Sequence, residues 1–286
     1  MQKVGEYMFR GFNTVASGMI AQQRRTEMLS NNMANANTPG FKAEQSVIRS
    51  FPEMYLSSIQ KNRIPTENGL NLSGTTPIGQ ISTGVYMQET LPLFEQGQLR
   101  ETELSTDVAL IDGLLPADPE TGILGAIFFR LENESGGEMY TKNGNFTLDA
   151  NGYLTNPTGH YLLDNNGQRI QLENDDFTVS DQGVIMDGEN PIATLGISFA
   201  ARPDTLMKQG NGTFVTGGGE DLPGAGGVAG LSYSLQQGYL EGSNVDAART
   251  MTDMLTAYRA FEANQKILQA YDRSMEKAVN EVGRVN

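Results

Sequence analysis

Both ends of this 286-residue chain carry a heptad pattern, in which mostly apolar residues recur at alternating steps of three and four, with Gln22, Thr26, Gln265 and Asp272 as the polar exceptions. The first set is Met8, Phe12, Val15, Met19, Gln22, Thr26, Leu29 and Met33, and the second is Met251, Met254, Tyr258, Phe261, Gln265, Leu268, Asp272, Met275, Val279 and Val282. A helix of about 30 residues with one narrow apolar stripe is marginal by itself in water. We therefore expect the two helices to pair, although periodicity alone also allows two surface helices on a central core.

The middle of the chain is rich in turn dipeptides. These are Asn68-Gly69, Asp112-Gly113, Asn143-Gly144, Asn151-Gly152, Asn166-Gly167, Asp187-Gly188 and Asn211-Gly212. Such pairs tolerate positive φ and favour hairpins, which predicts antiparallel strands rather than a parallel α/β sheet. The predicted fold class is α+β, with paired N- and C-terminal coiled-coil-like helices and a central antiparallel all-β domain.

The predicted domain organisation has four segments. They are an N-terminal helix with an Asn-rich turn (1–42), an extended connector (43–85), an antiparallel β domain (86–235), and a C-terminal helix that pairs with the first (236–286). The connector is assigned because residues 57–79 are polar and turn-rich with little periodicity. Ser243 or Asn244 is the predicted N-cap of the last helix.

Composition excludes several classes of function. The chain has 20 basic and 34 acidic residues and a net charge of −14, with no run of Lys or Arg, which argues against nucleic-acid binding. It has no Cys, so disulfides and thiolate chemistry are excluded. Residues 7–22 lack the compact apolar stretch of a cleaved signal peptide. The sequence alone indicates a cytosolic protein unless another export route is used.

Two acidic turns resemble calcium loops only faintly. In Asp149-Ala150-Asn151-Gly152 and Asp164-Asn165-Asn166-Gly167 the glycine comes fourth, whereas an EF-hand loop places it sixth. The twelfth positions are His160 and Asp175, where an EF-hand has Glu. We interpret both segments as hairpin turns.

No constellation of residues makes a convincing active site. His160 is the only histidine, and we expect it to be an exposed strand residue. Glu173, Asp175 and Asp176 could act as paired carboxylates for sugar hydrolysis, but adjacent acids in a polar run more often form a solvated turn. We therefore predict no catalytic, cofactor-binding or metal-binding residues and no cofactor.

One dense motif closes the first helix: Asn31-Asn32-Met33-Ala34-Asn35-Ala36 followed by Asn37-Thr38-Pro39-Gly40-Phe41-Lys42. Asn is a poor residue for a helix interior, and Thr38 before Pro39 is disfavoured in the helical region. The pattern NNxANxxTPGFK closely resembles the signature of the bacterial flagellar rod and hook family.

Two further blocks carry this resemblance in the usual order of the family. The central block comprises 94–99, 107–109, 140–146 and 148–154, and the last block is Gln237-Gly238-Tyr239-Leu240-Glu241-Gly242-Ser243-Asn244-Val245-Asp246 with 258–264. The chain departs from the family at residues 1–7, which are either an extension or the result of a misassigned start codon, with Met8 as the alternative start. It also departs by an interrupted Gly-x-Gly-Phe-Phe stretch, where 114–125 separates Gly113 from Phe128-Phe129. The length is similar to distal-type or longer proximal-type rod proteins.

The resemblance implies a structural subunit of the flagellar basal-body rod. Such a protein would self-assemble into a helical tube after type III export without a cleaved signal, and it would be needed for motility. Its partners would be copies of itself, other rod or hook subunits and the export apparatus, with no nucleic acid and no small-molecule substrate. One alternative is a β-rich cell-surface or phage-type binding protein with a helical oligomerisation stalk. A weaker one is an acidic glycan hydrolase.

The candidate functional residues fall into two sets. The predicted assembly and helix seam comprises Phe12, Val15, Met19, Leu29, Met33, Met254, Tyr258, Phe261, Leu268 and Met275. The family signature, by resemblance, comprises Asn31, Asn32, Asn35, Thr38, Pro39, Gly40, Phe41, Gly238, Asn244, Arg259, Glu262 and Asn264.

Overall fold

The computed structural model describes residues 2–63, 71–133 and 136–282. The chain forms two compact units. Unit 1 comprises Met1–Asn31, Gln45–Thr90 and Ala248–Asn286, and unit 2 comprises Asn32–Glu44 and Leu91–Ala247. Two long helices and antiparallel strands confirm the α+β fold class.

Unit 1 is built mainly from the two terminal helices and a β-hairpin. Its elements are α1 (Gln2–Ala34), β1 (Glu44–Ser50), β2 (Met54–Arg63), β3 (Asn71–Ile81), β4 (Val85–Pro92) and α2 (Ala247–Val282). Strand β2 pairs antiparallel with β3, and β1 pairs with β4. The segment that the sequence analysis assigned to an extended connector thus contains three strands, while the four-part domain division remains a prediction.

The helices α1 and α2 pack against each other in an antiparallel arrangement. Gly11 lies against Tyr271 and Gly18 lies against Asn264, so a step of seven forward on α1 matches a step of seven backward on α2. A Cβ added at Gly11 would lie about 2.3 Å from the Tyr271 hydroxyl oxygen. The missing side chain therefore lets the tyrosine ring approach the helix backbone.

The small apolar core of unit 1 lies further along the same helix pair. It is formed by the buried residues Met28, Leu29 and Ala257, with Met87 and Met254 packed against them. At the start of β4, the Ser17 hydroxyl accepts a hydrogen bond from the Val85 amide at 3.2 Å. Strand β4 therefore packs along α1 through both apolar and polar contacts.

Unit 2 is an antiparallel β domain. Its strands are β5 (Leu99–Glu101), β6 (Val108–Asp112), β7 (Ala126–Glu132), β8 (Glu138–Thr141), β9 (Thr147–Leu148), β10 (Leu154–Thr155), β11 (Thr178–Val179), β12 (Val184–Asp187), β13 (Asn190–Thr194), β14 (Ile197–Ala200), β15 (Leu206–Lys208), β16 (Thr213–Thr216), β17 (Tyr233–Gln237) and β18 (Tyr239–Glu241). The main sheet has the order β14-β7-β8-β16-β15, and a second has the order β11-β12-β13. Three further pairs are β9 with β10, β5 with β18 and β6 with β17.

Two apolar clusters stabilise unit 2. The larger one includes Phe129 and Phe146, whose rings pack edge to face with centroids 5.1 Å apart. The smaller one is on the other side of β7, where Phe128 and Phe214 pack with Phe94. Alternate residues of β7 therefore contribute to two cores, which explains why six of its seven residues are buried.

Four of the seven turn dipeptides form tight turns as predicted. The glycines of Asn151-Gly152, Asn166-Gly167, Asp187-Gly188 and Asn211-Gly212 all have positive φ. Asn68-Gly69 lies outside the described residues.

The hairpin prediction is wrong for Asp112-Gly113 and Asn143-Gly144, whose glycines lack positive φ. A Cβ at Gly144 would lie 1.7 Å from the Val108 carbonyl oxygen, and one at Gly113 would lie 2.6 Å from that of Ser232. These two glycines are required for close backbone approach.

Both helix termini can be compared with their predicted signals. Helix α1 ends at Ala34, inside the Asn-rich motif, and Gly40 has a φ of +68°. Helix α2 begins at Ala247, so Asn244 is not its N-cap. The side chain of Asn244 has other partners, described below. Among the described residues, no helix combines the length and apolar character that crossing a membrane requires.

Candidate functional site

A buried ion pair lies where the first and last signature segments meet in unit 2. The Lys42 ammonium donates hydrogen bonds to Glu241 Oε1 at 2.5 Å and to the Glu95 carbonyl oxygen at 2.8 Å. Both charged side chains are almost completely buried. Because an ion pair without water needs extra hydrogen bonds to offset its desolvation, the contacts of both partners are structurally important.

Glu241 is held by the backbone of two other segments. Its Oε1 also accepts a hydrogen bond from the Gly97 amide at 2.8 Å, and its carbonyl oxygen accepts one from the Gly40 amide at 2.7 Å. A single residue at the end of β18 therefore contacts the first and the central signature segments. We call the meeting point of residues 40–44, 93–98 and 238–244 the signature junction.

Asn244 joins the same three segments through its amide group. Its Oδ1 accepts a hydrogen bond from the Ala43 amide at 2.7 Å, and its Nδ2 donates to the carbonyl oxygens of Leu93 and Glu95 at 2.8 and 3.1 Å. A carboxamide is needed here because the same group must both accept and donate.

Asn32 uses the same chemistry at the exit of α1. Its Nδ2 donates to the Glu44 carbonyl oxygen at 2.8 Å, and its Oδ1 accepts from the Glu44 amide at 3.0 Å. The side chain thus forms the two hydrogen bonds that a neighbouring strand would form. The turn from residue 33 to residue 43 is closed by this pair.

Two glycines let the backbones of the signature junction approach closely. A Cβ at Gly97 would lie 2.0 Å from the Gly242 carbonyl oxygen, and one at Gly40 would lie 2.5 Å from the Asn143 amide nitrogen. Gly40 also has positive φ, which disfavours any other residue. Any larger residue at either position would force the segments apart.

The electrostatics of the signature junction involve a second buried pair. Lys142 donates to Asp112 Oδ1 at 2.7 Å and is itself fully buried. Burial lowers the pKa of Lys42 from its ordinary value, and Lys142 adds to this effect, whereas the Glu241 carboxylate opposes it. The Glu241 carboxylate therefore helps to keep the buried Lys42 side chain charged.

Lys208 in β15 fixes the outer side of the first signature segment. Its ammonium is 2.6 Å from Glu44 Oε1 and 4.3 Å from the centre of the Phe41 ring. Phe41 is buried in the signature junction, and the Lys208 ammonium packs over the face of its ring. The β15–β16 hairpin thereby becomes part of the site.

The structure brings only some of the signature residues to this junction. Gly40, Phe41, Gly238 and Asn244 lie in it, and Asn32 is joined to it by its two hydrogen bonds to Glu44. Asn35 accepts a hydrogen bond from the Thr38 hydroxyl at 3.1 Å in the turn after α1, which also contains Pro39. Asn31, Arg259, Glu262 and Asn264 belong to the helices of unit 1.

The predicted seam residues occupy mostly half-buried positions. Leu29 is buried, and those in the half-buried class are Phe12, Val15, Met19, Met33, Met254, Phe261, Leu268 and Met275. Tyr258 is 53% exposed, whereas its neighbour Ala257 is 1% exposed in the small core of unit 1. The helix contact therefore follows Ala257, Asn264 and Tyr271, one residue away from Tyr258, Gln265 and Asp272 of the predicted heptad. The role of the seam set in assembly remains a prediction.

The candidate catalytic groups weighed from the sequence remain scattered. His160 is half-buried beside a turn, and Glu173, Asp175 and Asp176 are exposed. Within the described ranges, no group of three or more His, Asp or Glu side chains is placed to hold a metal ion. Most buried polar groups of the signature junction bond to one another, although Glu241 Oε2 has no hydrogen-bond partner among the described residues. Their geometry serves to join segments.

Sequence reasoning missed the ion pair and the glycine contacts. Lys42 and Glu241 both lie in the signature blocks, but their pairing has no local sequence signal because 199 positions separate them. Gly11 and Gly18 do carry a signal, since they are spaced by seven residues on the helix that holds the heptad. A glycine repeated at heptad spacing indicates a close helix contact.

Both ends of the chain, which the helix contact and the signature junction join, match models of known protein families. Three family models match: "Flagella basal body rod protein" at residues 12–42, "Flagellar hook protein FlgE/F/G D1 domain" at 122–186, and "Flagellar basal body rod FlgEFG protein C-terminal" at 236–281.

Among curated relatives, the flagellar hook-basal body complex protein FlhO of Bacillus subtilis is 45% identical over 97% of this chain and 100% of the relative. The flagellar basal-body rod protein FlgG of Borreliella burgdorferi is 32% identical over 96% of this chain and 98% of the relative. This chain therefore belongs to the flagellar basal-body rod family, which is a family of structural proteins and not of enzymes.

Proposed function

We propose that this chain is a structural subunit of the bacterial flagellar basal-body rod, needed for motility. It assembles with copies of itself and with other rod and hook subunits into a helical tube. The observation that carries the proposal is the signature junction, in which segments from the two family-matched ends of the chain and residues 93–98 converge on Lys42, Glu241 and Asn244. The similarity to FlhO and FlgG, which covers almost the whole length of both relatives, also supports the proposal.

Assembly requires apolar surface that the isolated chain leaves uncovered. Met251 and Tyr258 in α2 are each 53% exposed, and Leu255 between them is also exposed. Their spacing of four and three places them on one stripe of the helix, beside the face that packs on α1. We assign this stripe to contacts with neighbouring subunits, and a heterologous contact that does not close generates a helical tube.

The helix pair is proposed to form a short antiparallel coiled coil. The contacts of Gly11 with Tyr271 and of Gly18 with Asn264 repeat at the seven-residue period that a supercoiled pair requires. The half-buried seam residues Met254, Phe261, Leu268 and Met275 follow the same period. This supports one protomer that contributes both helices, whereas a stalk would need helices that extend independently.

Localisation to the flagellar basal body, outside the cytoplasm, belongs to the same proposal. The chain would be exported by the flagellar type III apparatus without cleavage of a signal peptide. The lack of disulfide chemistry in a chain without Cys is compatible with this route. Export and the contact with the apparatus are inferred from the family. Incorporation of the chain into rods, which the following experiment measures, requires export.

A complementation experiment tests the proposed function. A strain that lacks the gene would be transformed with the wild-type chain, with Leu255→Asp, or with Thr256→Asp as a charge-matched control at the next exposed position. We expect restored swimming and complete rods in electron micrographs of basal bodies for the wild type and the control, and neither for Leu255→Asp. Normal rods in the deletion strain itself would overturn the proposal.

A further inference from the structure

A cleft of about 730 Å³ in unit 2 has no part in the signature junction. Its walls come from three places: the turn at Ala150–Gly152, the segment Gln171–Glu173, and the end of the β12–β13 hairpin at Asp187 and Asn190. The volume lies within the range of about 300–1,000 Å³ that holds small-molecule ligands in proteins. Two acidic segments that the sequence analysis set aside as turns thus line one cleft.

The cleft walls are held in place by backbone and side-chain hydrogen bonds. Gln171 donates from Nε2 to the Asn151 carbonyl oxygen at 2.9 Å, and the Leu172 amide donates to that of Gly152 at 2.7 Å. The Asp149 carboxylate accepts from the amides of Asn151 and Tyr153 at 2.9 and 2.8 Å. The turn and the neighbouring segment are therefore preorganised, which lowers the entropic cost of binding.

The polar groups that face the cleft are available to a ligand. The side chains of Asn151, Glu173, Asp187 and Asn190 form no hydrogen bond to other residues in the part of the chain that the structure describes. Carboxamides and carboxylates together offer many acceptors and several donors. Ile192 adds an exposed aliphatic surface at the edge of the cleft.

The residues that line the cleft also exclude two classes of ligand. It contains no Lys, Arg or His, so phosphates and other anions would meet only carboxylates. A tightly held metal ion is disfavoured, because the described residues contain no group of three or more acidic or imidazole side chains that could hold one. A neutral ligand rich in hydroxyl groups matches both the polar lining and the aliphatic edge.

We infer that this cleft binds a neutral oligosaccharide of two or three sugar units, without cleaving it. The hydroxyl groups of the sugar would donate to Glu173 and Asp187 and exchange hydrogen bonds with Asn151 and Asn190. Its apolar ring face would pack on Ile192. No residue of the cleft takes part in the signature junction or the helix contact.

The test is isothermal titration calorimetry of the full chain with cellotriose, maltotriose and chitotriose. We expect at least one trisaccharide to bind, and Asn190→Ala and Glu173→Ala each to weaken it by about three- to tenfold, the effect of one lost hydrogen bond. Gln182→Ala, at the opposite end of β12, is the matched control and should bind as the wild type does. Thermal unfolding would verify that each variant is folded.

A second measurement uses the wild type alone. The side-chain amide resonances of Asn151 and Asn190 should shift on addition of the binding trisaccharide, while that of Gln182 should not. Absence of binding to all three sugars would overturn the inference. So would binding that neither cleft variant weakens, or a calcium titration in which the cleft amides respond to the ion and not to the sugars.

Discussion

The Lys42–Glu241 pair joins residues 199 positions apart in a region without solvent contact. At the residue scale, its contribution differs from that of a surface ion pair, because removal of one partner leaves the other charge buried. Breaking such a pair costs about 3–5 kcal/mol, whereas replacing both partners is often nearly neutral. The pair therefore serves the specificity of the junction more than its stability.

A double-mutant cycle tests this interpretation. We expect Lys42→Met to lower the free energy of unfolding of unit 2 by about 3 kcal/mol or more, because the Glu241 carboxylate loses its partner. Adding Glu241→Gln should recover most of the loss, since the amide oxygen can still accept from Gly97. Chemical denaturation monitored on unit 2 gives both values. Additive losses in the double variant would contradict the pairing model.

Asp107 is a buried carboxyl group beside the same region. It is 1% exposed, and neither carboxylate oxygen has a hydrogen-bond partner among the residues that the structure describes. Burial raises its pKa from the ordinary value, and the Thr102 hydroxyl opposes this only in part, since it donates to the Gly238 carbonyl oxygen. The folded state therefore holds its proton to higher pH than the unfolded state does.

The direction of this shift fixes a pH dependence. Between the ordinary pKa of 3.8 and the higher folded value, the folded state binds more protons, so stability falls as pH rises. Asp107→Asn keeps a neutral group at every pH. We expect it to raise the melting temperature at pH 7 and to have little effect at pH 4, as measured by calorimetry. An equal effect at both pH values would exclude this explanation.

At the scale of elements, the α1–α2 contact depends on residues that the heptad described only in part. Met254, Phe261, Leu268 and Met275 are half-buried as the pattern predicts. The other half of the heptad was placed at Tyr258, Gln265 and Asp272, but the residues in the contact are Ala257, Asn264 and Tyr271, each one position earlier. At Asn264 and Tyr271, the glycines of α1 allow the close approach. Tyr258 is thereby left exposed on the helix surface.

A charge introduced into the α1–α2 contact should disrupt the helix pair without unfolding the β domain. We expect Leu268→Asp to abolish helix pairing and rod assembly while unit 2 stays folded, since an unpaired charge in an apolar contact costs several kcal/mol. Gln269→Asp, at the exposed neighbouring position, is the charge-matched control. Circular dichroism and complementation give the two readouts. Collapse of the β signal in Leu268→Asp alone would contradict independent units.

At the scale of the whole molecule, the two units differ in how much apolar surface they bury. Within the described ranges, the buried apolar residues of unit 1 are Ala21, Met28, Leu29 and Ala257, whereas unit 2 has a cluster of eighteen residues in its larger core. Local stability follows buried apolar contact, so unit 1 should open more easily.

Hydrogen exchange tests this difference in stability. In the isolated chain, we expect fast amide exchange along α1 and α2 and slow exchange in β6, β7 and β8 of unit 2. Incorporation into a rod should slow exchange in both helices, because neighbouring subunits supply the missing burial. Equal protection of helices and β domain in the monomer would argue against folding coupled to assembly.

Local patterns in the sequence determined the α+β class, the two terminal helices, the end of α1 at the Asn-rich motif and the four tight turns with positive φ. These features follow from periodicity and backbone preference, which act between residues close in the chain. The family resemblance likewise rests on segments that can be read one by one.

Only the tertiary structure decided which distant residues meet. Gly113 and Gly144 had the letters of a hairpin turn, yet each is required because another backbone passes within contact distance. Asn244 had the signal of an N-cap, but its amide joins two other segments. The same holds for the choice of Ala257 over Tyr258 and for the Lys42–Glu241 pair. Their causes lie in contacts across tens to hundreds of residues, which no local propensity encodes.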